Sequence, residues 1–205
     1  MGIQGLFDEL EDELRAWLSG FGRAAELFEG LPQLFSKLTT QHIAGTVEDR
    51  ASIIGPVHVG SRSTLRAGSV VTGPAIIAED VTIASSVEID GRTYIGGGCS
   101  IAHGVSIRNS LVLNRTVIRA GAHISNSLVG TSCIIGPHAL LGIEPVGASK
   151  NRTVNSPFVT VRMHSRIGAG AILEYGTDLA EAAQVNNGVI VSSVGSAGPI
   201  SGLRQ

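Results

Sequence analysis

The sequence predicts an all-β solenoid, chiefly because of a repeat of six residues. A period of six matches neither the 3.6-residue period of a helix nor the alternation of a lone strand. It matches a coil in which three short strands and three turns, about eighteen residues together, complete one rung. Glycine is abundant at 27 residues, and aromatic residues make up only 4%, so turns are plentiful and large rings are scarce. The repeat places an aliphatic residue at Val47, Ile53, Val59, Leu65, Val71, Ile77, Ile83, Ile89, Ile95, Ile101, Ile107 and Leu113.

A second series of small or modest side chains accompanies the first. Each member stands two residues before an aliphatic position: Ala51, Val57, Ser63, Ser69, Ala75, Val81, Val87, Thr93, Cys99, Val105 and Leu111. Stacked aliphatic residues with small partners can build a regular core without the large rings that dominate most globular cores. Cys99 falls in this series and Cys133 falls in its continuation, which predicts two reduced thiols that fill core.

Beyond Leu113 the repeat continues with interruptions. Two one-residue deletions shift the frame, residues 143–160 break it, and the loop predicted there is an excursion from the coil. The later aliphatic positions are Ile118, Ile124, Val129, Ile135, Leu141, Val161, Ile167, Leu173, Leu179, Val185 and Val191. The predicted organisation is a helical cap or linker over 1–42, a solenoid of seven or eight rungs over 43–195, and a flexible tail over 196–205.

The first 42 residues follow a helical pattern instead. Their apolar residues recur at spacings of three and four, and acidic residues supply a polar face, which predicts two short amphipathic helices. We expect this segment to cap the first rung, because an open solenoid end requires cover. Docking to another protein is the alternative. The apolar stripe comprises Leu6, Leu10, Leu14, Leu18, Phe21, Leu27, Leu31, Leu34 and Leu38.

Composition excludes several classes of partner. The net charge is −2 and the pI is near 6.3, which gives no basis for binding nucleic acid or an anionic membrane. The sequence has neither a long apolar run nor a basic, apolar leader, so we expect a cytoplasmic protein. The spacing of cysteines and histidines predicts no zinc site and no disulfide framework.

The tandem pattern [LIV]-x-x-x-[STAV]-x resembles that of the hexapeptide-repeat acyltransferases. This resemblance implies a left-handed parallel β-helix that associates as a homotrimer. Four segments further resemble the acetyltransferase domain of the sugar-1-phosphate nucleotidylyltransferases that form UDP-N-acetylglucosamine. These segments are ELFEGLPQLFSKL at 26–38, the rungs at 53–83, GCSIAHGVSIRNSLVL at 98–113 and NSLVGTSCIIGPHA at 126–139. The GxGTR nucleotide-binding loop of those enzymes is absent, which argues against nucleotidyl transfer.

The chain departs from this family where the resemblance places the chemistry. The family's general-base histidine aligns with Ala120, and a following tyrosine aligns with His123. A sugar-binding lysine aligns with Arg108, which keeps the charge. An arginine that grips the sugar phosphate aligns with Asp90, although Arg92 is nearby. The family's remaining conserved polar positions align with Ser106, Asn126 and Ile134.

Three histidines could replace the missing base. Counting three hexads per rung places His103 directly beneath Ala120 and His138 above Gly121, with His123 at the next turn. Adjacent strands lie about 4.8 Å apart, so these imidazoles are predicted to line one groove beside Arg108 and Asn109. His103 or His123 is the predicted base, and Arg108, Asn109, Arg92 and His138 are the predicted acceptor-binding residues. The alternative for each histidine is an ordinary surface position.

The excursion supplies the predicted contacts for the acyl donor. Lys150 and Arg152 lie on it, and loops of this kind in the resembling fold cover CoA, whose pyrophosphate would attract cations. An ordinary solvated loop is the alternative.

Three functions are compatible with these residues. The first is an acyl-CoA-dependent N- or O-acyltransferase, using acetyl-CoA or another acyl-CoA, that acts on a sugar phosphate, a sugar nucleotide or a similar small polar acceptor at intersubunit clefts of a trimer. The second is a non-catalytic trimeric β-helix, either a scaffold or a regulatory paralogue of a sugar nucleotidylyltransferase. A sugar-nucleotide-binding protein without chemistry is a third possibility.

Overall fold

The computed structural model describes residues 32, 35–36, 38–144 and 158–192. Pro32, Phe35 and Ser36 are helical, and Phe35 and Leu38 are buried. Most of the predicted N-terminal helices lie outside the described residues. Lys150 and Arg152 and the predicted tail over 196–205 lie outside them as well.

The described chain forms a coil of eight rungs with three flat sides, each side an eight-stranded parallel sheet. Sheet A contains β1 (His42–Ile43), β4 (Val57–Val59), β7 (Ala75–Ile77), β10 (Thr93–Ile95), β13 (Leu111–Val112), β16 (Ser127–Val129), β19 (Val159–Val161) and β22 (Asp178–Leu179). Sheet B contains β2 (Thr46–Val47), β5 (Thr64–Leu65), β8 (Thr82–Ile83), β11 (Ser100–Ile101), β14 (Val117–Ile118), β17 (Ile134–Ile135), β20 (Arg166–Ile167) and β23 (Gln184–Val185). Sheet C contains β3 (Ser52–Ile54), β6 (Val70–Thr72), β9 (Glu88–Asp90), β12 (Ser106–Arg108), β15 (His123–Ser125), β18 (Leu140–Ile143), β21 (Ile172–Glu174) and β24 (Ile190–Val191).

This architecture is the predicted left-handed parallel β-helix, and the prediction of fold class is confirmed. We number the rungs 1 to 8 from the N-terminus and name the corners A–B, B–C and C–A after the sheets that they join. The strand boundaries refine the predicted segments. His42 already belongs to sheet A, and Ile143 and Val159 are strand residues, so both ends of the predicted 143–160 excursion lie in the coil wall.

The hexad residues point inward and stack on their counterparts one rung away. On sheet A, Val59 pairs with Ile77, which in turn pairs with Ile95, and all three are fully buried. Burying one such side chain contributes roughly 1.5–3 kcal/mol, and the parallel register repeats this contact at every rung. The period of six thus gives each sheet one inward aliphatic residue per rung.

Buried hydroxyls at the small positions bond to backbone carbonyls at the corners. The Ser63 Oγ donates to the Ala78 carbonyl at 2.7 Å, and the Thr116 Oγ1 donates to the Gly130 carbonyl at 2.8 Å. A buried hydroxyl costs free energy unless it is paired, so these bonds allow small polar residues in the core. Cys99 and Cys133 occupy equivalent places as buried free thiols, and burial raises the pKa of each thiol to about 11.

The structure corrects the first shift of the repeat. Val112, not Leu113, pairs with Ile95 and Val129 and belongs to the core. The small partner is accordingly Ser110 instead of Leu111, and Leu111 points outward. The deletion therefore lies between Ile107 and Val112. Because residues 111–113 are all aliphatic, the sequence allows either Val112 or Leu113 as the inward residue. The buried hydroxyl of Ser110, which donates to the Arg108 carbonyl at 2.7 Å, fits the frame with Val112 inward.

Both deletions lie at the C–A corner, on consecutive rungs. Asn109 and Asn126 occupy these turns with φ of 46° and 44°, a left-handed conformation that asparagine tolerates better than most residues. On the next rung, β18 carries a bulge at Gly142, where a β-carbon would collide with the Ser125 carbonyl. Three successive irregularities thus stack at one corner.

The structure shows no helix among its described residues that is long and apolar enough to cross a membrane.

His58 makes the stability of the fold depend on pH. It is buried on sheet A and stacks on His42, with ring centroids 4.9 Å apart. Burial, and then repulsion from His42, lowers the pKa of His58 from 6.5 to about 4. The folded chain holds this imidazole neutral, whereas the unfolded chain protonates it as the pH falls below 6.5. The free energy of unfolding is therefore highest above pH 6.5, and the part that depends on His58 is lost as the pH falls towards 4.

We predict that wild-type protein loses at most about 3 kcal/mol of unfolding free energy through His58 between pH 7 and pH 4. Urea titrations at pH 7, 5.5 and 4 measure this loss. His58→Phe keeps a ring on His42 and removes the titration, so its stability should fall less over the same range. His164→Gln, at an exposed corner, is the matched control. Equal losses in wild type and His58→Phe would contradict the prediction.

Candidate functional site

The outer face of sheet C on rungs 3 to 6 carries the candidate chemistry. The middle residue of each strand points inward here, so the first and third residues point outward. The first positions stack as Ser106, His123 and Leu140. The third positions stack separately; Arg108 lies between Asp90 and Ser125. The two ladders run along opposite edges of the sheet, about 7 Å apart.

His123 is the half-buried histidine of this face. Burial, and then the nearby positive charge of Arg108, lowers the pKa of its imidazole below the usual 6.5. Both effects disfavour the imidazolium, so the ring is neutral at pH 7 and one nitrogen can accept a proton. His123 thus combines partial shelter from water with the protonation state that a base requires.

His103 and His138 lie at the B–C corner beside this ladder. The amide of Gly121 donates to the His103 carbonyl at 3.1 Å, and the amide of His138 donates to the Ala120 carbonyl at 3.0 Å. These bonds place His103 beneath Ala120 and His138 above Gly121, the same stacking that hexad counting gives. A β-carbon on Gly121 would lie 2.5 Å from Nδ1 of His138, so the glycine makes room for the ring. Both side chains are exposed.

Arg108 and Arg92 lie at the other edge. The Arg108 Nε is 3.3 Å from the Asp90 Oδ2, and both side chains are about half exposed. An exposed pair of this kind contributes little to stability, so Asp90 chiefly offsets the charge that Arg108 offers to a ligand. Arg92 is exposed at the C–A corner of rung 3. It is thus one rung before Asn109 along the same corner.

A polar chain at the C–A corner extends the site. The Asn109 Nδ2 donates to the Asn126 Oδ1 at 2.7 Å, and the Asn126 Nδ2 lies 3.3 Å from the Tyr175 hydroxyl oxygen. Tyr175 is not among the residues that the sequence predicts for the site. Hexad counting could have found it, because Tyr175 follows its inward residue by two positions, as Asn109 and Asn126 do. The excursion on the intervening rung conceals the relation.

The predicted single groove is therefore divided between two edges. His103, His123 and His138 follow the B–C edge of sheet C, whereas Arg108, Asn109 and Arg92 follow its C–A edge. The physical reason is that residue 108 ends a three-residue strand whose first outward position is Ser106. Within the described part of the chain, no group of three or more His, Cys, Asp or Glu side chains is placed to hold a metal ion.

The sequence model of the GMPPB C-terminal domain matches residues 71–197, which is more than half of the chain. The chain belongs to this family. The match spans rungs 3 to 8 and contains every site residue named above, and it agrees with the predicted membership of the hexapeptide-repeat superfamily. No protein of curated function matches the chain.

Several solved structures resemble the chain at low identity. UDP-N-acetylglucosamine acyltransferase of Francisella novicida is 16% identical, with a TM-score of 0.41 over 72% of this chain and 61% of its own. The corresponding O-acyltransferase of Moraxella catarrhalis is 16% identical, with a TM-score of 0.30 over 71% and 70%. A mutant of perosamine N-acetyltransferase from Caulobacter crescentus, solved with CoA and GDP-perosamine, is 14% identical, with a TM-score of 0.24 over 72% and 53%. The chain thus spans less than two thirds of the Francisella enzyme, and these likenesses assign it no activity.

We predict that His123 titrates below pH 6.5 and that Arg108→Gln moves its pKa upward, because the substitution removes a nearby positive charge. Histidine ring resonances followed by NMR across pH 4–8 measure both values. Arg92→Gln removes an exposed charge on another rung and should leave His123 unchanged. A wild-type His123 that titrates at or above 6.5 would contradict the interpretation of the site.

Proposed function

We propose that the chain is an acyl-CoA-dependent N- or O-acyltransferase with His123 as its general base. The observation that carries the proposal is a half-buried imidazole, held neutral by burial and by Arg108, on the outer face of sheet C. The resemblance of residues 98–113 and 126–139 to a family of acetyltransferase domains supports it, as does membership of the hexapeptide-repeat superfamily.

The proposed step is attack on a thioester. Acyl-CoA supplies an activated acyl group whose C–S bond breaks as the acceptor's N–C or O–C bond forms. His123 takes the proton that the amine or hydroxyl loses and then returns it to the departing thiolate, so that CoA leaves as a thiol. His103, one rung lower, is the second candidate for this role, and its exposure makes it the less shielded of the two.

Acceptor binding is proposed for the C–A edge. Arg108 would meet an anionic group once its contact with Asp90 is exchanged, and Asn109 would add a polar contact. Arg92 and His138 extend the surface along the coil at either edge. A sugar phosphate or sugar nucleotide has the anion and the hydroxyl or amine that this arrangement requires.

Trimer assembly would complete the site. A flat solenoid side offers no deep pocket by itself, so the acceptor and acyl-CoA would bind in clefts between subunits. Lys150 and Arg152 stand between β18 and β19 in the sequence, and we propose them as contacts for the CoA pyrophosphate.

A non-catalytic β-helix is the second candidate, and one observation favours it. Asp90 stands where the resembling enzymes grip a sugar phosphate, and here it contacts Arg108, the one cation that aligns with a sugar-binding lysine. Ala120 in place of the base points the same way. The chain would then serve as a scaffold or regulatory partner of a sugar nucleotidylyltransferase.

Calorimetric titration with acetyl-CoA and longer acyl-CoA compounds tests the leading proposal first. Transfer is then measured as thiol release in the presence of amino-sugar phosphates and nucleotide-linked amino sugars. Cys99 and Cys133 are buried and have raised pKa values, so the protein's own thiols should add little background.

We predict that His123→Gln lowers kcat by about 10²- to 10⁴-fold and leaves acyl-CoA affinity nearly unchanged, as expected for loss of a base. His164→Gln, at the A–B corner away from sheet C, is the matched control and should retain full activity. A folded trimer that binds no acyl-CoA would contradict the proposal. A stable complex with a sugar nucleotidylyltransferase on size-exclusion chromatography would then support the second candidate, a non-catalytic scaffold.

A further inference from the structure

The B–C corner carries one backbone amide per rung that a side-chain oxygen satisfies on some rungs and not on others. The amide belongs to the second residue after the inward aliphatic residue of sheet B. On rung 2 this residue is Ala67, whose amide donates to the Glu48 Oε2 at 3.0 Å. On rung 7 it is Ala169, whose amide donates to the Asn187 Oδ1 at 2.8 Å. Oxygens from an adjacent rung, one of them a carboxylate oxygen, therefore bind at this place.

Ala120 is the equivalent residue on rung 5. Among the residues that the structure describes, no oxygen accepts a hydrogen bond from its amide. The reason lies in the adjacent rungs. Ala102 on rung 4 stands where rung 1 has Glu48, and Pro137 on rung 6 stands where rung 8 has Asn187. Neither side chain carries an oxygen, so the chain itself does not supply an acceptor for this amide.

Three basic side chains lie around the same amide. Arg119 directly precedes Ala120 and is exposed, and its counterparts one rung below and one rung above are alanine and glycine, which leave the guanidinium uncovered. His103 lies one rung below Ala120, and His138 lies one rung above Gly121. The described B–C corner contains no Asp or Glu from rung 4 to rung 8, so no carboxylate offsets the charge there.

His138 occupies its position against a backbone preference. Its φ is 56°, in the left-handed region, and glycine stands at the equivalent position on five of the eight rungs. A side chain in this conformation is strained, and strained residues of this kind cluster at binding sites. A β-carbon on Gly121 would lie 2.5 Å from Nδ1 of His138, so the imidazole leans over the turn that contains Ala120. The position is therefore a candidate for ligand contact.

We propose that the B–C corner of rungs 4 to 6 binds a phosphate group through one amide and three side chains: the Ala120 amide, Arg119, His103 and His138. A phosphate oxygen takes the place that the Glu48 carboxylate holds on rung 2. The guanidinium adds a charge-assisted hydrogen bond, and the two imidazoles add N–H donors. An anion thus meets the donor that the chain leaves without an acceptor.

Two kinds of small ligand share this chemistry. One is a nucleotide diphosphate such as that of CoA, and the other is a sugar phosphate. His123 follows Ala120 by three residues on the same rung, so either ligand would extend from the corner onto the outer face of sheet C. Phosphate binding at this corner does not depend on the proposed acyl transfer, because the amide and the basic side chains hold an anion whether or not a reaction follows.

Titration of the full chain with inorganic pyrophosphate tests the site. Isotopically labelled alanine amides are followed by NMR at constant ionic strength, so that general screening of charge stays equal. The Ala120 amide resonance should shift until the site is saturated, whereas that of Ala67, already bound by Glu48, should not. Arg119→Gln should weaken binding about tenfold or more, because it removes a charge-assisted hydrogen bond. Arg66→Gln, at the same corner position on rung 2, is the matched control and should bind as wild type does.

A second variant supplies the missing oxygen from within the chain. Ala102→Glu places a carboxylate where Glu48 stands on rung 1, so it should bind the Ala120 amide and exclude pyrophosphate. Ala102→Met has a side chain of similar length without an oxygen and should keep the binding. Circular dichroism checks that both variants retain the coil. Free CoA and a hexosamine phosphate then compete with pyrophosphate, and the compound that displaces it at the lower concentration identifies the source of the phosphate.

Two results would overturn the proposal. One is an Ala120 amide that does not move in millimolar pyrophosphate, and the other is an Arg119→Gln protein that binds as tightly as wild type. Enzyme assays separate this site from the proposed reaction. A protein that binds pyrophosphate at Ala120 and transfers no acyl group keeps the site and loses the proposed function. A protein that transfers acyl groups without any Ala120 shift keeps the function and loses the site.

Discussion

Parallel register between successive rungs is the constraint on which the rest of this structure depends. Each strand pairs with the strand one rung away, residue for residue, so any side chain has its counterparts directly above and below it. An inward aliphatic residue therefore continues one core column, and an outward residue continues one surface ladder. The core repeats a single favourable contact, and each outer face acquires its own chemical character. The outer face of sheet A is apolar on its middle rungs (Ile76, Tyr94, Leu111 and Leu128), that of sheet B is largely polar, and that of sheet C is mixed.

The same constraint explains why the irregular residues gather at one corner. A deletion would move every later side chain to the wrong face unless the turn absorbed it. Asn109 and Asn126 absorb two deletions in left-handed turns, and their side chains hydrogen-bond across the rungs. The bulge at Gly142 follows on the next rung. Neighbouring turns thus adopt unusual conformations together, because each one must stack on the last, and polar side chains are gathered there as a consequence.

The sequence predicted the coil and the stacking of His103 beneath Ala120, because both follow from counting in sixes. It misplaced the first deletion, since 111–113 are all aliphatic and only the Ser110 hydroxyl separates the two frames. The division of the site between two edges was missed because counting in sixes gives the rung of each residue but not the edge of the sheet on which its side chain lies. Burial of Tyr94 could not be predicted from the repeat either. The six-residue period specifies which residues point inward and leaves the exposure of the outward residues undetermined.

The two edges of sheet C set a geometric condition on the proposed chemistry. His123 and Arg108 belong to ladders about 7 Å apart, so one acceptor must place its nucleophile and its anion at comparable separation. A hexose phosphate satisfies this more readily than a small carboxylate, whose two groups are too close together. The contact between Arg108 and Asp90 adds a second condition, because the anion must compete with a carboxylate already present. An acceptor that carries a full phosphate charge meets both conditions, which is why the proposal favours phosphorylated sugars over simpler amines or alcohols.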